Sequence, residues 1–127
     1  MLTLLALCGV AKAGEVSITQ VRFVEERAGS WRVHVTLRHA DSGWDHYADE
    51  WRVVDEAGHP LGKRVLLHPH VNEQPFTRSL SGVRTPEGVS VVYVTAHDTV
   101  HGWSSDRVKI DLSESSGPRF RVERLSR

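Results

Sequence analysis

The strictest constraint on the fold is an eight-residue alternation in the first third of the chain. In residues 31–38, four apolar side chains alternate with polar or charged ones: Trp31, Val33, Val35 and Leu37. Successive side chains of a β-strand point to opposite faces, so a period of two predicts a strand with one buried face and one hydrated face. We therefore expect a sheet that covers a hydrophobic core on one side.

Similar apolar runs recur along the rest of the chain, separated by turn-forming segments, and none has the period of an amphipathic helix. The predicted strands are residues 16–24, 31–38, 51–54, 61–67, 76–80, 89–96 and 108–112. This spacing favours an all-β fold, namely a two-sheet β-sandwich of about seven antiparallel strands. A small closed barrel is the alternative. The apolar parity changes near Thr19 and Gln20, which predicts a β-bulge or a strand that switches sheets.

One strand and the loop after it carry a family resemblance. Residues 93–98 read Tyr-Val-Thr-Ala-His-Asp, and Gly102 and the apolar run 108–112 follow. This pattern resembles the last hairpin of fibronectin type III and other immunoglobulin-like domains. The resemblance implies that the two-sheet β-sandwich is immunoglobulin-like, with Trp51 matching the core-packing tryptophan. Residues 39–112 are also similar to a group of small uncharacterised exported bacterial proteins, and that similarity implies no activity.

The first thirteen residues predict an export signal. Residues 2–10 form an apolar run that is followed by Ala11-Lys12-Ala13, a small-x-small cleavage pattern. The run is too short to span a membrane. Cleavage after Ala13 would leave a periplasmic or secreted chain that starts at Gly14. The competing interpretation is a lipoprotein anchor at Cys8, where Leu7 stands in the place of the usual small residue.

These boundaries divide the chain into a signal peptide (1–13), a β-sandwich (14–112) and a C-terminal tail (113–127). The tail would be either an added edge strand, over residues 119–125, or a frayed end. The mature chain would contain no transmembrane segment. With 16 basic and 16 acidic residues, the net charge is zero, so the clustered basic face of a nucleic-acid-binding protein is not expected.

The predicted topology gathers most of the eight histidines at one end. Antiparallel neighbours alternate in direction, so the connections after strands 31–38, 61–67 and 89–96 should lie at the same pole. Six histidines fall in or beside these connections: His39, His46, His68, His70, His97 and His101. His59 falls at the opposite pole, and His34 lies on the hydrated face of its strand.

Three interpretations of this pole remain open. In the first, the polar side chains only supply hydrogen bonds to loop backbone. In the second, they bind a divalent metal, Zn or Cu(II), because imidazole and carboxylate ligands suit these ions. The candidate ligands are His46, His68, His70, His97 and His101, with Glu73 and Asp98 as ligands or as partners that orient the histidines. Cu(I) fits less well, because a chain from Gly14 contains neither Cys nor Met.

In the third interpretation, the same loops form a recognition module for a protein, peptide or carbohydrate. Trp44, Tyr47 and Trp103 would then present exposed rings to the partner. An enzyme is not expected, because the sequence contains no nucleophile-elbow pattern or paired-carboxylate motif.

Overall fold

A computed structural model describes residues 11–126, which form nine β-strands and no helix. The strands are β1 (Ser17–Arg27), β2 (Ser30–Arg38), β3 (Ala48–Val54), β4 (Pro60–Val65), β5 (Phe76–Arg84), β6 (Val91–Asp98), β7 (Gly102–Asp111), β8 (Ser116–Gly117) and β9 (Phe120–Glu123). The all-β prediction is confirmed. The count of about seven strands is corrected to nine, because β8 and β9 are too short to give a periodic signal.

The strands form two sheets that share one hydrophobic core. One sheet has the order β5-β2-β1-β9-β8, and the other has the order β4-β3-β6-β7. Neighbouring strands are antiparallel except for β1 and β9, which run parallel. The prediction that all strands are antiparallel is therefore corrected at this one pair. After β7 the chain first forms β8 and then turns back into β9, so that β9 runs parallel to β1.

The alternation in β2 defines the buried face, as predicted. Trp31, Val33, Val35 and Leu37 are all buried, as are Trp51, Val92 and Val94 in the facing sheet. Full burial of a Val or Leu side chain contributes about 1.5–3 kcal/mol. The ladder between β1 and β2 shifts register between Ile18 and Gln20, and this irregularity confirms the predicted change of parity.

The C-terminal segment is part of the first sheet. Phe120 and Val122 of β9 are buried in the core, and the Arg119 guanidinium donates to the Ile18 carbonyl and to Asp106 Oδ2. The segment forms a strand and is not a frayed end, but β9 lies between β1 and the two-residue β8, which takes the edge of the sheet. The two sheets therefore include residues beyond position 112, where the sequence placed the end of the sandwich.

Three connections meet at one end of the molecule, which we call the loop pole: residues 39–47, 66–75 and 99–101. Backbone hydrogen bonds join them to each other and to β3, since Thr99 N–H donates to the Tyr47 carbonyl and Leu66 N–H to the Asp49 carbonyl. His59 lies in the β3–β4 turn at the other end, where its N–H donates to Asp55.

The predicted signal peptide lies outside the described residues, except for residues 11–13. Among residues 11–126, no helix is long and apolar enough to cross a membrane.

Candidate metal centre at the loop pole

Asp98, the last residue of β6, is fully buried and organises the tight connection to β7. Its Oδ1 accepts hydrogen bonds from the backbone N–H groups of Val100 (2.8 Å) and His101 (2.7 Å). A short acceptor side chain that binds its own downstream backbone is typical of a turn. The sequence around Asp98 therefore closes the β6–β7 turn locally and fixes the carboxylate in the interior.

Three histidine rings surround this carboxylate. His46 Nε2 lies 3.1 Å from Asp98 Oδ1, and His101 Nδ1 lies 3.2 Å from the same oxygen. The His39 and His46 rings are 4.7 Å apart between centroids, and the His46 and His101 rings are 4.9 Å apart. We call these four residues the Asp98 cluster.

The second carboxylate oxygen of Asp98 has a different environment from the first. Oδ2 is buried and has no hydrogen-bond partner among the described residues; His39 Nε2 is 3.8 Å away. Burial alone would raise the pKa of Asp98, but the N–H groups of His101 and Val100 and the nearby histidines outweigh it and lower the pKa. Asp98 is thus a buried carboxylate with one oxygen saturated and the other without a donor.

His39 is held in place from behind by a second buried carboxylate, Asp41. His39 Nδ1 donates to Asp41 Oδ1 at 2.5 Å, and Nε2 donates to the Gly14 carbonyl at 2.9 Å. A carboxylate that accepts from one ring nitrogen fixes the ring and leaves the other nitrogen as the candidate metal ligand. Both the His39 and the Asp41 side chains are almost fully buried.

Asp41 also ties the loops together. Its Oδ1 accepts from the Ala48 N–H at 3.0 Å, and its Oδ2 accepts from the His70 N–H at 2.8 Å. One side chain therefore links the start of β3, the β4–β5 connection and the His39 ring. This buried network holds the His39 ring with its Nε2 at the Gly14 carbonyl and 3.8 Å from Asp98 Oδ2.

The geometry is compatible with coordination of an ion. One ligand atom each from His39, His46 and Asp98 can be chosen so that all lie within 4.8 Å of one another. Ligands about 2.1 Å from a tetrahedral Zn ion are roughly 3.4 Å apart. His39 Nε2 lies 3.8 Å from Asp98 Oδ2, close to that value, and His46 Nε2 lies 3.1 Å from the other carboxylate oxygen, Oδ1.

The structure brings together only some of the predicted ligands. His46, His101 and Asp98 meet, and the sequence analysis placed His39 at this pole without naming it as a ligand. Asp41 was missed altogether. The sequence signal that could have found both is the close spacing of His39 and Asp41 directly after β2, where the Asp41 N–H donates to the His39 carbonyl at 2.8 Å in a tight turn.

The predicted ligands His68 and His70 lie elsewhere. Their rings are 4.7 Å apart between centroids, but the His70 ring stacks on Phe76 and its Nε2 accepts from the Arg78 guanidinium at 2.8 Å. Burial, and then the nearby Arg78 charge, lowers the pKa of His70. A guanidinium in contact with this nitrogen competes with any metal ion for it.

His97 and Glu73 have partners of their own. His97 Nδ1 lies 2.6 Å from Asp49 Oδ1, and its ring packs edge-on against Trp103. Glu73 is exposed and forms an ion pair with Arg78 at 3.4 Å. The histidines of the loop pole therefore lie in three separate places. Among the described residues of this pole, the Asp98 cluster is the place with a buried carboxylate oxygen that has no hydrogen-bond donor.

The predicted aromatic rings are accessible. Trp44 is 67% exposed and Trp103 is 42% exposed, and Trp44 packs edge-on against Tyr47 at 5.6 Å between centroids. Three aliphatic side chains of the same loops are also exposed: Leu67, Val71 and Val100. A cleft of about 490 Å³ lies at the other end of the molecule, beside Trp31 and Arg84, away from these groups.

The chain is similar to a protein of Halomicrobium mukohataei that is described as "Putative lipoprotein". The two are 39% identical over 105 residues, which are 83% of this chain and 51% of the relative. The chain therefore spans about half the length of that relative. No protein-family model matches the chain. No solved structure matches it either.

Proposed function

We propose that this chain is a small exported protein that binds a divalent transition metal, Zn or Cu(II), at the Asp98 cluster. The observation that carries the proposal is Asp98 Oδ2, a buried carboxylate oxygen that lies 3.8 Å from His39 Nε2 and has no hydrogen-bond donor among residues 11–126. A polar group buried without a partner costs free energy, and a bound cation would remove that cost. His39, His46 and Asp98 are the proposed ligands.

His39 is prepared for this role by its hydrogen bonds. A carboxylate and a carbonyl can only accept, so the ring donates from Nδ1 to Asp41 and from Nε2 to Gly14. Coordination through Nε2 would replace that proton with the metal, while Asp41 keeps the ring in position. Such exchange of a proton for a metal ion is general in metal binding by histidine.

Three protein ligands leave a fourth tetrahedral position for another donor. His101 borders the site, because its Nδ1 already contacts Asp98 Oδ1. Nitrogen and oxygen donors suit Zn and Cu(II), and a chain from Gly14 lacks the sulfur ligands that favour Cu(I). We propose a binding role and no catalysis, because the sequence contains no motif for a nucleophile or an acid–base pair.

Two observations support export. One is the apolar run 2–10 followed by the Ala11-Lys12-Ala13 pattern, which would give a periplasmic or secreted chain. The other is the relative's description as a lipoprotein, which also supports the competing anchor at Cys8. Amino-terminal sequencing of the native protein separates the two, because a chain that begins at Cys8 and carries lipid would contradict cleavage after Ala13.

We propose an immunoglobulin-like sandwich as the fold family. Two observations support this proposal: the strands β6 and β7, which carry the resemblance, pair antiparallel, and Trp51 is buried in the core. The parallel pairing of β9 with β1 departs from an all-antiparallel sandwich. An experimental structure that superposes on these domains strand for strand would support the proposal, and a different strand order would contradict it.

Calorimetry with Zn(II) and Cu(II) on the tag-free chain tests the metal site. His46→Ala removes a proposed ligand, and His97→Ala is the matched control, because their side chains are 24% and 29% exposed. We expect one-to-one binding that weakens at least about tenfold in H46A and is retained in H97A. Equal affinity in the chain and in both variants would contradict the site and leave a buried network of His39, Asp41 and Asp98 as its explanation.

A recognition surface is the second candidate, favoured by the exposed rings of Trp44 and Trp103 and by the exposed aliphatic residues beside them. The expected partner is a protein, peptide or carbohydrate, since aromatic rings stack on all three. Titration of soluble peptides and oligosaccharides against tryptophan fluorescence tests it, with Trp44→Ala as the variant that should lose the signal. A response that is unchanged in W44A would contradict the assignment.

A further inference from the structure

Gly14 lies beside the Asp98 cluster. Its carbonyl oxygen accepts from His39 Nε2 at 2.9 Å, and a Cβ added to it would lie 2.7 Å from His101 Cε1 and 3.0 Å from His101 Nε2. Its φ is +85°, a backbone conformation that residues other than glycine rarely adopt. The backbone of residue 14 therefore occupies the space between two rings of the cluster.

Cleavage after Ala13, as the sequence predicts, would make this residue the first of the mature chain. We infer that Gly14 is itself part of the metal site: its freed α-amino nitrogen, adjacent to the carbonyl that meets His39, supplies the remaining ligand. This inference rests on the proposed metal-binding function and goes beyond it. It implies that the complete site exists only in the processed protein.

The chemistry of the nitrogen is what changes on cleavage. In an uncut chain, the nitrogen of Gly14 is part of a peptide bond, and its lone pair is delocalised into the carbonyl. A terminal amine has a free lone pair and can bind a metal once it has lost its proton. Amine nitrogen and carbonyl oxygen of one residue can also form a five-membered chelate ring with the ion.

The two residues after Gly14 anchor the chain to β7. Glu15 Oε1 accepts from the Ser105 N–H at 3.1 Å, and the Val16 carbonyl accepts from Ser104 Oγ at 2.6 Å. Val16 is buried in the core. Lys12 closes a turn around residues 13 and 14, because its carbonyl accepts from the Glu15 N–H and its own N–H donates to Glu15 Oε1. Cleavage after Ala13 removes this turn, while the contacts of Glu15 and Val16 with β7 should hold the new chain end beside the cluster.

Three forms of the protein test the inference: a chain that starts at Gly14, the same chain with an acetylated amino terminus, and a chain that starts at Ala11. Acetylation removes the amine lone pair and leaves all side chains unchanged. We expect each of the last two forms to bind Cu(II) at least about tenfold more weakly than the first, equivalent to about 1.4 kcal/mol. The electron paramagnetic resonance spectrum of bound Cu(II) should show one nitrogen ligand fewer.

Circular dichroism checks that the three forms share one fold, so that a difference reports on the amine. Equal affinities and identical Cu(II) spectra would overturn the inference while leaving the proposed metal site standing. Failure of all three forms to bind would overturn the metal site and the inference with it. Mass spectrometry of the native protein provides an independent check, because a mature chain that begins at any residue other than Gly14 would also overturn it.

Discussion

Replacing Asp41 with alanine is the sharpest test of how the loop pole is held together. Asp41 is buried, and its two oxygens accept from the N–H groups of Ala48 and His70 and from the His39 ring. The substitution removes all three acceptor contacts at once. It leaves two backbone N–H groups without a partner in a region from which water is largely excluded.

The structure permits an estimate of the cost. A buried donor that loses its acceptor costs about 1–3 kcal/mol, so the N–H groups of Ala48 and His70 together predict a loss of roughly 2–6 kcal/mol. This is a large part of the 5–15 kcal/mol that is usual for a folded domain. At roughly 4 °C per kcal/mol for a domain of this size, Tm should fall by roughly 8–24 °C.

Urea unfolding followed by circular dichroism measures this loss directly. Asp45→Ala is the matched control, because Asp45 is an exposed carboxylate in the same connection. Surface substitutions of this kind usually change the free energy of unfolding by less than about 0.5 kcal/mol. A loss below about 1 kcal/mol for D41A, or an equal loss for D45A, would refute the view that Asp41 organises the pole.

Three further predictions concern stability. The lowered pKa of His70 means that the unfolded chain takes up the His70 proton at a higher pH than the folded chain, so this residue should destabilise the fold below about pH 6.5. The urea midpoint of the protein should therefore fall relative to that of H70Q as pH is lowered through that range, and a constant difference would contradict the prediction. Leu37→Ala in the core should cost about 2–5 kcal/mol in urea unfolding, and a loss near zero would contradict full burial. Asp106→Ala leaves the Ile18 N–H without its acceptor, so we expect a loss of about 1–3 kcal/mol in the same assay, and no loss would show that water replaces the carboxylate.

The strands were largely predictable because their signal is local. The alternation in residues 31–38 identified β2 and its buried face, and the parity change near Gln20 identified the irregularity in β1. The short strands β8 and β9 were not predictable in the same way. Phe120 and Val122 are buried because β1 offers a free edge, and no pattern within the last fifteen residues contains that information.

The candidate site shows the same division between local and distant information. Strand order alone was enough to place six histidines at one pole, because antiparallel strands alternate in direction. It could not decide which rings meet, since side chains at one pole can be separated by the roughly 10 Å between the sheets. His70 was a predicted ligand, yet it stacks on Phe76 and accepts from Arg78.

The sequence by itself determined the all-β class, the buried face of β2 and the gathering of histidines at one end, because each follows from a period of two and from alternating strand direction. Only the tertiary structure decided that Asp98, His39 and His46 converge and that Gly14 lies against them. These contacts join residues that are far apart in the chain. Their distances depend on loop paths and side-chain burial, which local sequence patterns do not encode.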